Sequence, residues 1–362
     1  MNKIRTATVL PAIALGAALA VPAVSSAAIQ LAGDALEVYS RFHLSLDIND
    51  TDSPDGGTNL NVSSNDSMFG FRGQYAVDPT LILLWQLEQG FRADSATGDL
   101  ASRNTFLGVR NPEYGTMLAG YHDTPFKDVG QRWAVLNDTV ADRRMILGAG
   151  AQVNNVMNAR ARNSILYMNK VQGLEYRVMY STDAVDETPD APDDNDNQLI
   201  SAGAWYTIGA LELSAAYERW WHMAAANGRV GGLRLAATHR VGGKAKVGAL
   251  FESIDTATEA ASDLDRNAFG FNGSYREGLF TYEAQLLIAG DHRGPGSTGA
   301  VNIGLGVTRA INRQLDVYGA FSMTSNDSDA SYKGVDGGHG DHVPTVNGGT
   351  PYAFSVGGVF RF

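Results

Sequence analysis

The densest concentration of reactive side chains in this 362-residue chain lies between positions 123 and 144. Asp123, Lys127, Asp128, Arg132, Asp138, Asp142, Arg143 and Arg144 put four acids and four bases on one segment. Fixed charges of both signs are suited to setting a field across a narrow passage. A second group, Gly338-His-Gly-Asp-His342, brings two imidazoles and a carboxylate close together, a donor set able to hold a divalent metal. A glycine-rich loop loses entropy when it orders around an ion, and no metal and no cofactor is expected for the chain. Asp193-Asp-Asn-Asp-Asn197 offers oxygen donors but lacks the glycine turn and closing Glu of a calcium loop. The Asp50, Asp52, Asp55, Gly56 group is interrupted by Pro54 and also lacks that Glu. HExxH, GxSxG and phosphate-loop patterns are absent, and His43, His122, His222 and His239 are scattered.

The elements that must position these groups begin after an export signal. Lys3 and Arg5 precede an apolar stretch from Ala7 to Ala20, and Ser25, Ser26, Ala27 and Ala28 supply a small-residue cleavage site. The expected organisation is a signal peptide over 1–28 and one domain over 29–362. Removing the signal takes away two bases and no acid, leaving 26 bases against 39 acids, a balance of −13. A chain with that sign does not seek nucleic-acid phosphates. There is no cysteine, so thiolate metal sites and cysteine nucleophiles are excluded. Beyond residue 28 no apolar run approaches the roughly 18 residues of a spanning helix.

The mature chain instead reads as two-faced strands. Leu36, Val38, Phe42, Leu44, Leu46 and Ile48 alternate with Glu37, Tyr39, Arg41, His43, Ser45 and Asp47. The same period of two recurs over Leu81–Arg92, Leu174–Ser181, Phe280–Ala289 and Ala300–Arg309. Short turns are expected near Val77–Thr80, Asn111–Tyr114, Lys170–Gly173, Ile208–Ala210, Val241–Lys244, Glu277–Leu279 and Ala310–Arg313. They alternate with eight longer polar connections, the longest from Asp123 to about Ala159. Strict alternation predicts about 16 antiparallel strands in a closed barrel, with both termini on the short-turn side.

The polar faces predict a wet interior. Arg41, Arg72, Gln86, Glu88, Arg92, Arg177 and Glu283 all face one side, which a dry core would not hold without a partner for each charge. Strand glycines such as Gly248, Gly270, Gly304 and Gly306 suggest bends or close backbone approach. Aromatics near strand ends, among them Tyr75, Tyr180, Trp205, Trp220, Trp221, Tyr275 and Phe360, suit interfacial girdles. Within the long connection, Val135–Leu147 is expected as a short helix capped by Asn137 or Asp138. The residues alone leave two positions open for this connection: inside the barrel, where it narrows the lumen, or outside as a surface flap.

Several stretches resemble the general bacterial porin family of Gram-negative outer membranes. Asn65-Asp-Ser-Met-Phe-Gly-Phe-Arg-Gly73, Leu84-Trp-Gln-Leu-Glu-Gln89, Ser102-Arg-Asn-Thr-Phe-Leu-Gly-Val-Arg110 and Tyr114-Gly-Thr-Met-Leu-Ala-Gly-Tyr-His-Asp-Thr-Pro-Phe-Lys-Asp128 resemble the strands leading to that family's constriction loop. Asn163-Ser-Ile-Leu-Tyr167 resembles the strand that leaves it, and Gly358-Val-Phe-Arg-Phe362 the family's C-terminal signal to the barrel-assembly machinery.

The resemblance implies a homotrimer of 16-stranded transmembrane barrels, with short periplasmic turns, long external loops and the third loop folded inward. The charged residues from Asp123 to Arg144 then become constriction residues, and Tyr39, Arg41, Arg72, Glu88, Arg92, Arg160 and Arg162 the facing wall. Tyr121 and Leu118 depart from the family's basic pattern, which weakens that wall. The expected function is a water-filled channel for passive diffusion of small polar solutes and ions. It carries no enzymatic activity and, from the acid excess and Tyr121, has a mild cation preference. Its expected partners are outer-membrane lipid and lipopolysaccharide. A substrate-selective channel, or less readily a barrel enzyme or adhesin, is the alternative.

Overall fold

The computed structural model describes residues 28–94, 101–148, 156–184, 197–223, 228–258, 265–294 and 296–362. Residues 1–27 and most of the Asp193–Asn197 run lie outside the described residues. One antiparallel sheet of nineteen strands makes the fold; Ile29–Gln30, Thr58–Ser64 and Ala101–Ser102 are short additions to a wall of sixteen. The wall strands are β1 Glu37–Asp50, β2 Met68–Asp78, β3 Leu81–Gly90, β4 Thr105–Asn111, β5 Gly115–Asp123, β6 Arg160–Val171, β7 Leu174–Ser181 and β8 Leu199–Ile208. They continue as β9 Leu211–Met223, β10 Gly228–Val241, β11 Ala245–Thr258, β12 Arg266–Glu277, β13 Phe280–Ala289, β14 Ala300–Ala310, β15 Leu315–Asn326 and β16 Tyr352–Arg361.

Each strand pairs with its sequence neighbour, and β16 returns to β1 with Tyr352 opposite Asp50 and Arg361 opposite Arg41. The last residue completes the seam: Ser40 N–H donates to Phe362 O at 2.8 Å, and Phe362 N–H to Ser40 O at 3.1 Å. All seven expected short turns connect the strands they were read to connect. In the β6–β7 turn Gln172 and Gly173 both take positive φ, 47° and 90°, the pair of left-handed residues that a two-residue hairpin needs.

Exposure alternates along the strands, and its sense identifies the two faces. In β1, Leu44, Leu46 and Ile48 are 39%, 50% and 45% exposed, while His43, Ser45 and Asp47 are 3%, 4% and 0%. Apolar side chains face outward and polar ones inward, the reverse of a water-soluble protein and the arrangement that hydrocarbon selects. Among the described residues no helix is long and apolar enough to cross a membrane; the chain crosses with strands.

Four local expectations are corrected. The helix of the long connection, α1, spans Pro125–Trp133 and is capped by Thr124, whose side chain accepts the Lys127 N–H. Over Val135–Leu147 only a 3-10 turn forms, Arg143–Met145 capped by Asp142, because Asp138 takes a left-handed φ of 61°. Arg92 does not line the wall: β3 ends at Gly90, Phe91 N–H turns to Ser67 O, and Arg92 is exposed beyond the strand. Trp205 and Trp220 do not join an outer girdle; both are buried on the inner side, whereas Tyr75, Tyr180, Trp221 and Tyr275 are exposed as expected.

The orientation makes one strong prediction. Leu305→Arg, at the middle of β14 on the outer face, will cost about 2–4 kcal/mol in lipid. Thr281→Arg on the wet face of β13 will cost about 0.5 kcal/mol or less. Urea unfolding from lipid vesicles checks both, and equal effects would contradict the assigned faces.

Candidate functional site

The segment between β5 and β6 folds across the interior and is held from two sides. On one side, strands β8 to β14 present glycines where its bulky groups lie. A Cβ on Gly270 would come within 2.6 Å of the Trp133 ring, and one on Gly248 within 2.8 Å. Leu136 lies against Gly306, Ala141 against Gly304, and Phe126 and Met157 against Gly232. These strand glycines are therefore seats for loop side chains rather than points of bending.

Polar groups of the same wall satisfy the segment's backbone. Asn272 Nδ2 and Lys246 Nζ donate to Trp133 O at 2.8 and 3.0 Å, and Gln285 Nε2 donates to Ala141 O. A buried charge group fixes both ends. Arg234 lies 4.1 Å over the Phe126 ring and donates to Phe126 O at 2.8 Å. Glu252 accepts from Arg234 at 2.5 Å and from Gly148 N–H at 2.8 Å. Arg266 donates to Ile146 O at 2.5 Å and lies 3.5 Å from Glu252. Removing Glu252 alone would leave two guanidinium groups buried together, the costly way to break such a group.

On the opposite side the expected wall residues meet the segment. Arg41 donates to Asp138 at 2.6 Å; Arg144 binds Asp138 at 2.6 Å and Asp142 at 2.7 Å. Asp123 takes Lys127 at 2.5 Å and Arg160 at 3.1 Å. Glu88 accepts the Tyr39 hydroxyl at 3.0 Å and Arg103 Nε at 2.8 Å. Asp66 joins Arg103 and Arg41. Asp66 and Asp142 are both held below the ordinary carboxylate range. Burial raises each, and the facing guanidinium groups outweigh it: Arg103 and Arg41 for Asp66, Arg144 for Asp142.

The remaining candidates are spread out. Asp128 pairs with Arg177 at 2.6 Å, and Arg132 pairs with Glu175 and lies 4.2 Å over the Trp205 ring, both on the β7–β8 wall. Arg143 is buried and donates to Asn137 Oδ1 at 2.5 Å. Arg72 pairs with Glu37 at 2.7 Å and sits over the Tyr39 ring. Arg162 lies 5.6 Å over the Tyr121 ring. The structure adds Asp66, Arg103 and the Arg234–Glu252–Arg266 group. Asp66 and Arg103 fall just outside strands, where a period-two reading carries no information.

Beside this network lies a cavity of about 490 Å³, lined by Lys127, Arg144, Arg160 and Arg162 against the single acid Asp66. Its chemistry is that of a basic recess with a fixed dipole pattern, and no nucleophile paired with a base lines it.

Comparison with known proteins agrees with this geometry. The family model for Gram-negative porins matches residues 14–329. An anion-selective porin from Comamonas acidovorans superposes with a TM-score of 0.74 at 17% identity, covering 91% of this chain and 99% of its own. OmpF of Salmonella typhi, in complex with daunomycin, gives 0.69 at 17% identity over 92% and 100%. The trimer form of OmpT from Vibrio cholerae gives 0.69 at 16% over 90% and 99%. No curated protein matches the sequence.

Trp133 is the segment's main anchor. Trp133→Ala will weaken the seating by about 3–5 kcal/mol and enlarge the open cross-section. The check is the single-channel conductance step, which should grow; an unchanged step would show that the segment does not limit passage.

Proposed function

The chain belongs to the Gram-negative porin family, and on that premise we propose that it forms a hydrated channel through which small hydrophilic solutes and ions diffuse passively across the bacterial outer membrane. An outer-membrane β-barrel of this family is a channel rather than an enzyme. The observation that carries the reading is an inner wall of ionised, mutually paired groups around a basic recess. Such groups remain charged when water reaches them. Residues 1–28 are proposed as the export signal and 29–362 as the single barrel domain. Outer-membrane lipid and lipopolysaccharide surround it, and Phe362 is read by the assembly machinery. A homotrimer is proposed from the trimeric OmpT relative.

The selectivity proposed here differs from the sequence expectation. A cation preference followed from a total of −13, but the field at the narrowing depends on nearby charges. Around the segment, Asp66, Glu88, Asp123, Asp138 and Asp142 face Arg41, Arg103, Lys127, Arg144, Arg160 and Arg162, and the recess itself holds four bases to one acid. This supports a weak anion preference, the property for which the Comamonas acidovorans porin is described.

Two recordings in planar bilayers test the proposal. Purified protein should give ohmic steps grouped in threes; folded protein without conductance would refute the channel. In a salt gradient the reversal potential should take the sign of anion preference. Arg162→Gln should reduce it, because it removes a charge from the recess. A cation-signed potential in the unaltered protein would refute the selectivity assignment.

A further inference from the structure

The last external loop, 327–351, also turns inward. Val335 and Val343 bridge across it, and Gly337 and Gly338 lie against Asp138, Asp142 and Arg144 so closely that side chains there would collide. Gly340 N–H donates to Asn65 Oδ1 at 2.9 Å. This path carries His339 down onto strand β1, where it is 3% exposed beside Asp47 at 0%. Asp341 follows, with Asn61 Nδ2 donating to its Oδ1 at 2.8 Å and fixing the carboxylate. One donor atom from each of Asp47, His339 and Asp341 lies within 4.8 Å of the others.

What sets these residues apart is what they lack. Asp47 Oδ1, His339 Nε2 and Asp341 Oδ2 are buried and receive or make no hydrogen bond. Nε2 is 3.2 Å from Asp47 Oδ2, close enough for charge interaction but without hydrogen-bond geometry. A second charged cluster of the loop satisfies itself: Asp336 takes His342 at 2.6 Å and Lys333 at 3.1 Å. The buried Asp47 and the half-buried Asp341 face one imidazole and leave negative charge uncompensated even if the ring is protonated. A divalent ion compensates both carboxylates and takes one donor atom from each of the three residues.

We propose that Asp47, His339 and Asp341 form a site for a zinc-class divalent ion that ties the last external loop to the first strand. One imidazole and two carboxylates favour such an ion over calcium or magnesium, which take oxygen alone. Three protein donors leave a position for water. Ligation through Nε2 puts the ring proton on Nδ1, 3.5 Å from the Ser63 hydroxyl and 3.1 Å from the Asp341 amide. The hydroxyl accepts that proton's hydrogen bond and the amide turns away, so ion binding shifts the 339–341 turn slightly. Because the same loop lies on Asp138 and Arg144, the ion steadies the cover of the narrowing.

The test is ion binding by the folded, tag-free protein in detergent after chelator treatment, read by calorimetry with Zn2+ and by metal content after gel filtration. One Zn2+ per chain should be retained. His339→Gln and Asp341→Asn should each weaken binding at least tenfold, while His342→Gln should leave it unchanged. Resistance of the barrel to unfolding by dodecyl sulfate at room temperature verifies folding, and Asp341→Asn serves if His339→Gln fails it. Equal zinc content in the unaltered protein and Asp341→Asn, or none retained at tenfold molar excess, overturns the site. The readout does not depend on conductance, so it stands apart from the channel proposal.

Discussion

A backbone N–H or C=O left without a partner in hydrocarbon costs several kcal/mol, and a sheet with a free edge has a row of them. This chain meets that constraint by bringing its last strand back to its first, Arg361 beside Arg41, and by pairing its final residue with Ser40. Once the sheet closes, lipid takes the outer face and the inner face is left with the polar half of every strand. The rest follows from that division: outward Leu, Val, Phe and Tyr need no partner beyond lipid, and inward Arg, Asp and Glu need each other and water.

The interior is neither empty nor packed like a soluble core. Roughly half of the circumference, from β8 to β14, carries the glycines, neutral polar groups and buried Arg234–Glu252–Arg266 group that receive the inward segment, while β1 to β7 carries the charges that pair with its charged side chains. The Arg234–Glu252–Arg266 group is a poor source of net stability, since desolvation offsets most of the attraction. Its geometry does something else: it joins three strands to both ends of one loop and so fixes where Asp138, Asp142 and Arg144 point. Charge placement in the narrowing is thereby set by strands that do not line it.

Much of the wall was legible in the sequence because period two and turn residues are local signals. Leu36–Ile48 and the seven short turns needed no tertiary information. Arg92 failed because alternation gives a face but not the point where a strand stops. The helix at Pro125–Trp133 was missed although Thr124-Pro125 is a start signal and Phe126, Val129 and Trp133 follow a helical spacing; the charged run after it drew the expectation onward. The match between Trp133 and Gly270 was not readable at all, because a glycine reports only the absence of a side chain, not what will fill the space. Selectivity is not legible from composition for a different reason: total charge is a sum, and passage is governed by the few terms close to the path.

The absence of cysteine makes the central claim, a wet inner wall and a lipid-facing outer one, directly measurable. Single cysteines placed in turn along β13 and β14 of the reconstituted protein can be exposed to a charged, membrane-impermeant thiol reagent. The account predicts reaction at the inward positions that the segment leaves open, with Thr281 and Thr308 modified and Tyr282, Leu305 and Val307 protected, while inward positions beneath the segment, such as Gly304 and Gln285, stay covered. Reaction at neither face, or at both alike, would contradict it.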